Sequence, residues 1–551
     1  MTRPAGLSPE LLEMVIATLR QVLDRELPDQ RRRELDEQDL FPTDLIEKLL
    51  SADVGLHLIF LPESAGGLGG GARDICRVSE EMAAADLGVA TAFLAICLGT
   101  DPIVVGGTDE QKAYWLGRIA SDGLIVAYGV TEPEAGSNVA ALQTTAEPIL
   151  DGAGQVTGYR LNGSKQFITN GGVAHVYTIL AKTPNGPSFF IVERGTPGLL
   201  VGKKEDKHGI RASNTTGVLL EDAEVPASHL VGGVEGEGLK QANAVFGYTR
   251  LMVGSFGLGS GQAALDRALS YARTRRQFGS PLVDKEGFLL KLIVPPWIDL
   301  AAGRAYVDEV ALRLDEGEHD RSVEGSIAKL WCTEAGNRAA DLALQALGGY
   351  GYAREYMVEK FRRDVRITSI YEGTSEIQQS IIGMYRWKAQ VRARGAYYEP
   401  EAAALDTMGA ERPESGAALA AAVLRGVGDA IWSAHEVGHS RHQRVQFAFA
   451  DMATRAEVAA AFARHAHARL GDGAPEAAIA AAMSRVFSRQ ALAAVQEDAR
   501  LCRMGFAEPG DDAAEHEADV LAARIRDRVP AGLRAGLWTD MVLVGEHLKR
   551  S

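Results

Sequence analysis

Cysteine is scarce in this sequence, and so is any long apolar run. Four cysteines, Cys76, Cys97, Cys332 and Cys502, are spread through 551 residues with no CxxC pair. That spacing excludes a cysteine-built zinc site and a dense disulfide framework, and it suits a reducing compartment. No stretch of 18 consecutive apolar residues occurs, so no membrane-spanning segment is expected. Positive charge is also in deficit. The 58 Lys and Arg stand against 73 Asp and Glu, a net charge of −15, which argues against a uniformly basic nucleic-acid binder. The N-terminal stretch MTRPAGLSPELLEMVIATLRQVLDRELPDQ lacks a basic segment followed by an apolar one, and its acidic residues do not suit a transit peptide. These absences point to a soluble, cytoplasmic protein with no nucleic-acid partner and at most peripheral membrane contact.

What is present is ordinary globular material: 46% apolar, 24% charged and 7% aromatic residues, enough chain for two to four domains. LLEMVIATLRQVL, DLIEKLL, ARDICRVSEEMAAA and EQKAYWLGRIA repeat apolar residues with helical spacing, so residues 1–122 read as an N-terminal α-helical domain. Short β-rich runs separated by Gly, Asn, Asp and Pro follow over 123–235, the pattern of a small barrel or sandwich. Helical periodicity returns over 236–391. Beyond it, 41 of the last 161 residues are alanine and the only lysine is Lys549, so 410–551 reads as a further helical domain. YYEPEAAALDTMGAERPESG is the expected linker. The fold class is α+β and multidomain.

Three motifs invite chemistry that their context does not support. GLGGGA at Gly67–Ala72 fits a dinucleotide glycine pattern, but helices flank it and no βαβ series follows; a turn needing positive φ is the better reading. HEVGH at His435–His439 has the spacing of two zinc-binding histidines with Glu436 as a base, yet it lies in alanine-rich helix with a glycine inside it. A solvated helix face is expected there, and no metal ligand. The arginine-rich C-terminal third carries 19 basic and 22 acidic residues, which suits exposed helix faces better than DNA.

Five other segments carry the functional signal. YGVTEPEAGSN (Tyr128–Asn138) closes a β-like run with a turn that turns backbone N–H groups and hydroxyls to one side, apt for the polar edge of a flat ring. FITN (Phe167–Asn170) supplies an aromatic ring and a threonine on a second strand. RTRRQFG (Arg273–Gly279) sets a guanidinium, suited to phosphate, beside an aromatic ring. QALGGYG (Gln345–Gly351) ends a helix in glycines that let a phosphate approach the backbone. IYEGTSEIQ (Ile370–Gln378) holds Glu372 in an apolar setting just before a helix capped by Thr374 or Ser375, where burial would raise its pKa and make it a competent base.

Over residues 8–391 the order of domains and the motifs TEPEAGSN, KQFITNGG, RRQFG, QALGGYG and IYEGTSEIQ resemble the acyl-CoA dehydrogenase family of flavoenzymes. The resemblance implies a helical domain, a β-barrel and a C-terminal four-helix bundle, with FAD between barrel and bundle and an extra helical domain beyond. It implies that Tyr128, Val130, Thr131, Gly136, Ser137, Phe167, Thr169, Thr374 and Glu376 line the flavin. Arg275, Gln277, Phe278, Gln345, Gly348 and Gly349 would hold the adenine and pyrophosphate across a dimer interface. Ser137, Arg250, Tyr371 and Gly373 would meet the acyl-CoA, and Glu372 would be the base. The implied reaction is α,β-dehydrogenation to trans-2-enoyl-CoA: Glu372 takes the α-proton, a hydride passes from Cβ to flavin N5, and electrons go on to an electron-transfer flavoprotein. The thioester oxygen would be polarised by the Glu372 N–H and a flavin ribityl hydroxyl.

The sequence departs from the family in places. Asn138 stands where the family often has Asp, and Pro295-Pro296 interrupts a segment that is usually continuous helix. Thr249 occupies the position that carries the base in the isovaleryl-type subgroup, which favours Glu372. The helix ATAFLAICLGTDP has no arginine to anchor a dicarboxylyl-CoA. The C-terminal extension is similar to that of the very-long-chain enzymes, so a homodimer is expected over a tetramer. An acyl-CoA oxidase and an alkylation-response DNA-binding protein of the same fold are the alternatives. Chain length and branching of the acyl group are not legible.

Overall fold

The computed structural model describes residues 6–318 and 321–550. Residues 1–5 and Ser551, which the sequence assigns to the first and last domains, lie outside the described residues. The chain forms two compact units. One runs to Ser260 and takes in Ala311–Gly325 and Arg363–Thr368; the other holds Gly261–Val310, Ser326–Arg362 and the chain from Ser369 onward. The span 236–391, read as one domain, is thus divided between them.

The first unit begins with helices α1 (Pro9–Glu26), α2 (Asp29–Glu37), α3 (Thr43–Leu50), α4 (Ala72–Ala85), α5 (Leu87–Gly106), the short α6 (Asp109–Gln111) and α7 (Gly117–Asp122). α1 starts where Ser8 accepts the Leu11 N–H at 3.2 Å and Pro9 takes the first helical position, whose N–H has no helical partner in any case. Before α4, Gly66 and Gly69 stand at φ +84° and +65°, so GLGGGA is a turn. The N–H groups of Ala72 and Arg73 donate to the Asp315 carboxylate at 2.6 and 3.1 Å. The chain's own carboxylate therefore occupies this helix terminus. Two helices, Leu87–Gly106 and Ala417–Glu436, have the length and hydropathy of a membrane span, but 78% and 72% of their apolar windows are buried within the fold.

The sheet follows: β1 (Val126–Gly129), β2 (Thr145–Leu150), β3 (Val156–Thr169), β4 (Val176–Thr183), β5 (Gly186–Glu193), β6 (Leu199–Lys204) and β7 (Thr215–Pro226). Its order is β1-β4-β2-β3-β7-β6, with β5 also on β4. β1 and β4 pair in parallel; β3 runs antiparallel to both β2 and β7. β4 and β5 read as near-continuous apolar runs because almost all their side chains are buried, whereas β6 and the outer turns are exposed. The β3–β7 register shifts between Lys165 and Ile168, a bulge that re-aims the intervening side chains.

Next come α8 (Gly238–Thr274), the hairpin β8 (Arg276–Gln277) and β9 (Ser280–Pro281), α9 (Glu286–Phe288), α10 (Val294–Asp315), α11 (Ser322–Leu347), α12 (Gly349–Tyr352), α13 (Val358–Val365) and α14 (Ser375–Arg392). The interruption expected at Pro295-Pro296 takes the form of a π turn, Leu289–Ile293. The prolines follow in the first turn of α10, where missing N–H groups disrupt least.

The C-terminal extension comprises α15 (Glu399–Glu411), α16 (Ala417–Glu436), α17 (Gln443–Gly471), α18 (Ala477–Met504), α19 (Asp512–Asp527) and α20 (Leu537–Arg550). The expected linker is mostly α15: Pro400 falls in its first turn and the alanines carry it on, so alanine's helix propensity overrides the polar, proline-containing look of the segment. Alanines line the buried faces of α16, α17 and α18 and allow close packing. A Cβ at Gly383 of α14 would lie 2.1 Å from the Gln446 carbonyl of α17, so only glycine permits that approach.

Candidate functional site

The turn after β1 is stapled to β3 by a buried ion pair. Glu132 and Ala135 exchange backbone hydrogen bonds at 3.2 Å, closing a tight turn over Pro133 and Glu134. The Glu132 carboxylate accepts from Lys165 Nζ at 2.6 Å and from the N–H groups of Gln143 and Thr144 at 2.5 and 3.0 Å. Lys165 Nζ also donates to the Val130 carbonyl at 3.3 Å, and Gln166 N–H to the Thr131 carbonyl at 2.9 Å. Both charged side chains are buried. Burial opposes ionisation of Glu132, but the donors around it prevail and hold its carboxyl below the usual range.

This staple brings together the first set of predicted residues. Tyr128 is half-buried on β1 with its ring 5.7 Å from that of Phe189, Val130 is buried, and Thr131 starts the turn. Gly136, Ser137 and Asn138 are exposed, and a Cβ built on Gly136 would meet nothing within 4 Å. Phe167 lies in the β3 bulge at φ +58° and is 64% exposed, an aromatic face held out to solvent by a strained backbone. Thr169 closes β3 opposite Thr215.

A second set gathers in the other unit. Arg275, Gln277, Gln345, Gly348 and Gly349 line a cavity of about 660 Å³, together with Tyr271, Tyr350 and Tyr356. The Arg275 guanidinium stands 5.4 Å from the Tyr350 ring centre. Gly348 adopts φ +60°, and a Cβ on Gly348 or Gly349 would meet nothing within 4 Å, which leaves open backbone on that wall. Phe278, at the β8–β9 tip with φ +48°, is 95% exposed and is not part of the cavity wall.

Glu372 sits in the turn between α13 and α14, half-buried, at φ +54°, between Tyr371 and Gly373. Thr374 caps α14 by accepting the Ile377 N–H at 3.3 Å; Glu376 lies exposed in that helix's first turn. Arg250 is buried on α8 and donates to the Ser322 carbonyl at 3.1 Å, while the neighbouring Thr249 hydroxyl is spent on the Val245 carbonyl at 3.3 Å.

HEVGH departs from its sequence reading. α16 ends at Glu436 and Gly438 turns the chain at φ +77°, so His435 and His439 do not share a helix face. Neither is simply solvated: His435 Nδ1 accepts from Trp387 Nε1 at 3.4 Å, and His439 Nδ1 lies 3.0 Å from the Cys502 carbonyl oxygen. Many arginines of the extension are engaged with carboxylates, as in Arg464 with Glu309 and Glu401, Arg489 with Asp540 and Arg528 with Asp429, while Arg441 and Arg469 donate to backbone carbonyls.

Sequence reasoning passed over Glu132, Lys165, Lys329 and Gln378. The signal for the first pair was a glutamate and a lysine inside two motifs otherwise made of turn and strand residues. Gln378 closes the IYEGTSEIQ motif, and its amide donates to the carbonyls of both Glu372 and Gly373.

Three domain families match in succession: the acyl-CoA dehydrogenase N-terminal domain over residues 9–123, the middle domain over 127–223 and the C-terminal domain over 236–385. An acyl-CoA dehydrogenase of Bacillus subtilis is 39% identical over 366 residues, 64% of this chain and 91% of the relative. A chain in the structure of the electron transferring flavoprotein of Acidaminococcus fermentans superposes with TM-score 0.64 at 33% identity, covering 68% of this chain and 97% of that one. The acyl-CoA dehydrogenase of Bacillus anthracis, solved with FAD, superposes with TM-score 0.84 over all of this chain and 97% of its own. Its identity is 24%, so the likeness there is one of fold, and it includes the helices beyond residue 391.

Proposed function

The chain belongs to the acyl-CoA dehydrogenase family, and from that premise we propose that it desaturates an acyl-CoA thioester between Cα and Cβ, with Glu372 as the base for the α-proton. The protein is an oxidoreductase, and the family's cofactor is FAD. The residues present fit that group. An exposed aromatic face at Phe167, open backbone at Gly136 and a polar turn suit a flat heteroaromatic ring. The cavity beside Arg275, with two unobstructed glycines and several tyrosines, suits a phosphate and an adenine. Bound FAD supplies the acceptor for the hydrogen that leaves Cβ with its electron pair.

The chain's own residues do the rest. The thioester makes the α C–H acidic, and the Glu372 carboxylate removes that proton. The Glu372 N–H, on the same turn, donates to the thioester oxygen and so stabilises charge developing in the enolate-like transition state. Arg250 and Ser137 orient the acyl-CoA. Thr249 offers no carboxylate, and its hydroxyl is engaged within its own helix, so the second known base position is closed. That Glu372 stands on a left-handed, half-buried turn directly ahead of a capped helix is the observation that carries this reading. The product is a trans-2-enoyl-CoA. Transfer of electrons to an electron-transfer flavoprotein and assembly as a homodimer complete the proposal.

The test is anaerobic mixing of the FAD-loaded protein with straight, branched and aryl acyl-CoAs. Loss of the oxidised flavin absorbance with at least one of them, and appearance of its enoyl-CoA, is expected; no bleaching by any thioester overturns the reading.

A further inference from the structure

The backbone that carries Glu372 is held in place from outside the turn. Glu372 at φ +54° and Gly373 at φ +86° are consecutive left-handed residues, a conformation that a glutamate keeps only where its surroundings enforce it. Two fully buried polar side chains supply that enforcement. Gln378, in the first turns of α14, donates from Nε2 to the Glu372 and Gly373 carbonyls, both at 3.0 Å. Lys329, from α11, donates from Nζ to the same Gly373 carbonyl at 2.8 Å. A Cβ at Gly373 would stand 2.6 Å from Gln378 Nε2, so the glycine leaves the space that the amide fills. A further tie to α11 comes one residue into the helix, where the Ser375 hydroxyl donates to Glu334 Oε1 at 2.6 Å.

We infer that Gln378 and Lys329 are positioning residues for Glu372, clamping the two carbonyls of its turn so that the carboxylate keeps one fixed direction. The inference rests on the assignment of Glu372 as the base. Rotation about the Glu372 backbone swings the side chain and the carbonyl together. Anchoring the carbonyls at 372 and 373 therefore fixes where the carboxylate leaves the turn. The peptide planes that follow Glu372 and Gly373 are both held, so the turn cannot relax without breaking these bonds. Errors of about 1 Å in such placement cost on the order of 10²-fold in rate. A left-handed turn with one donor removed has a ready route to such an error, because its relaxed conformation lies elsewhere. Lys329 adds a buried ammonium on a backbone carbonyl, which requires two elements, α11 and the turn, to stay in register for the bond to form.

The experiment uses FAD-loaded Gln378→Leu, Lys329→Met and Lys329→Arg. Two rates are measured: exchange of the acyl-CoA α-proton with D₂O, followed by NMR, which reads the base alone, and anaerobic flavin bleaching at saturating acyl-CoA. Dissociation constants for acyl-CoA and FAD content are measured beside them. Gln378→Leu and Lys329→Met are expected to lose about 10–10²-fold in both rates, with FAD content and acyl-CoA affinity within about twofold of the parent. Lys329→Arg, which keeps a cationic donor, should recover most of that loss. If Gln378→Leu sheds FAD, Gln378→Asn, one methylene too short to reach both carbonyls, carries the same expectation. Parent-like exchange in FAD-loaded Gln378 and Lys329 variants overturns the inference while leaving Glu372 as base. Exchange that persists in Glu372→Gln removes the base itself, and the clamp's purpose with it.

Discussion

The turn after β1 and the junction of α14 with α17 each bury a carboxylate against a cation, and they use the same device for opposite ends. In the sheet, Glu132 and Lys165 hold an irregular, exposed loop, and Glu132 spends its remaining acceptor capacity on the N–H groups of Gln143 and Thr144. In the helical region, Arg386 meets Glu457 through two bonds of 2.7 Å, and Tyr398 donates to the same carboxylate at 3.0 Å. There the pair joins two regular helices that already pack through Gly383. The first pair shapes an exposed turn; the second ties the extension to the helix that begins three residues after the proposed base. A buried pair adds little net stability over apolar residues of the same shape, but it is costly to break, which makes it a means of fixing geometry.

Breaking either pair from one side is therefore the strongest way to test the contrast. Lys165→Met and Glu457→Leu each remove one member of a buried ion pair and leave the other buried, and each should cost about 3–5 kcal/mol in denaturant unfolding. They should differ in what else is lost. Lys165→Met is expected to release FAD, because the Thr131–Ser137 turn loses its staple, whereas Glu457→Leu should keep FAD. The double change Arg386→Met with Glu457→Leu should return to within about 1–2 kcal/mol of the parent. Equal FAD loss in the two single variants would erase the distinction.

Arg275→Ala tests the cavity by comparison with the sheet turn. Loss of one charge-assisted bond is worth about 1.5–3 kcal/mol, so FAD should dissociate roughly 10–10²-fold more readily with no change in folding stability. Full retention of FAD through dialysis would remove Arg275 from the cofactor site.

A smaller effect separates the two regions by pH. Burial, with the Asp451 carboxylate close by, pushes Asp498 of the extension up to about 6 from 3.8. Its folded form binds the proton more tightly than the unfolded chain, so stability falls as pH rises between these values, and the cost is complete above about 6. Asp498→Asn should stabilise the protein at pH 8, with the gain vanishing towards pH 4. Glu132 has the opposite sign. Its carboxyl is held below 4.5, so its contribution is present above that value and is lost on acidification. A gain from Asp498→Asn that grew on acidification would contradict the assignment.

How much of this was legible follows the same division. The sheet and its turns could be read because glycine, proline and hydroxyl residues at fixed positions declare a backbone need, and TEPEAGSN, QFITN and IYEGTSEIQ each become a turn or a strand end in the structure. Gly348 and Gly349 of QALGGYG could be placed on a wall because they expose backbone. The extension gave only a composition. Alanine favours helix wherever it occurs, so the segment read as a linker became α15, and HEVGH looked like one helix face although Gly438, at φ +77°, ends the helix before His439. Arg386 and Glu457 lie 71 residues apart on unremarkable helices, and no local pattern joins them. The clamp on Glu372 was half visible: Gln378 stands in the motif, but Lys329 reaches it from α11, 44 residues from the carbonyl it holds.

The central claim is that Glu372 is the base, and stopped-flow reduction of the flavin in Glu372→Gln by acyl-CoA without oxygen tests it most directly. The variant keeps the size of the side chain and leaves the proposed flavin contacts untouched, so FAD should remain bound and acyl-CoA should still bind. Bleaching should slow by at least about 10²–10⁴-fold, the usual contribution of a general base. Bleaching at the parent's rate in FAD-loaded Glu372→Gln would contradict the account.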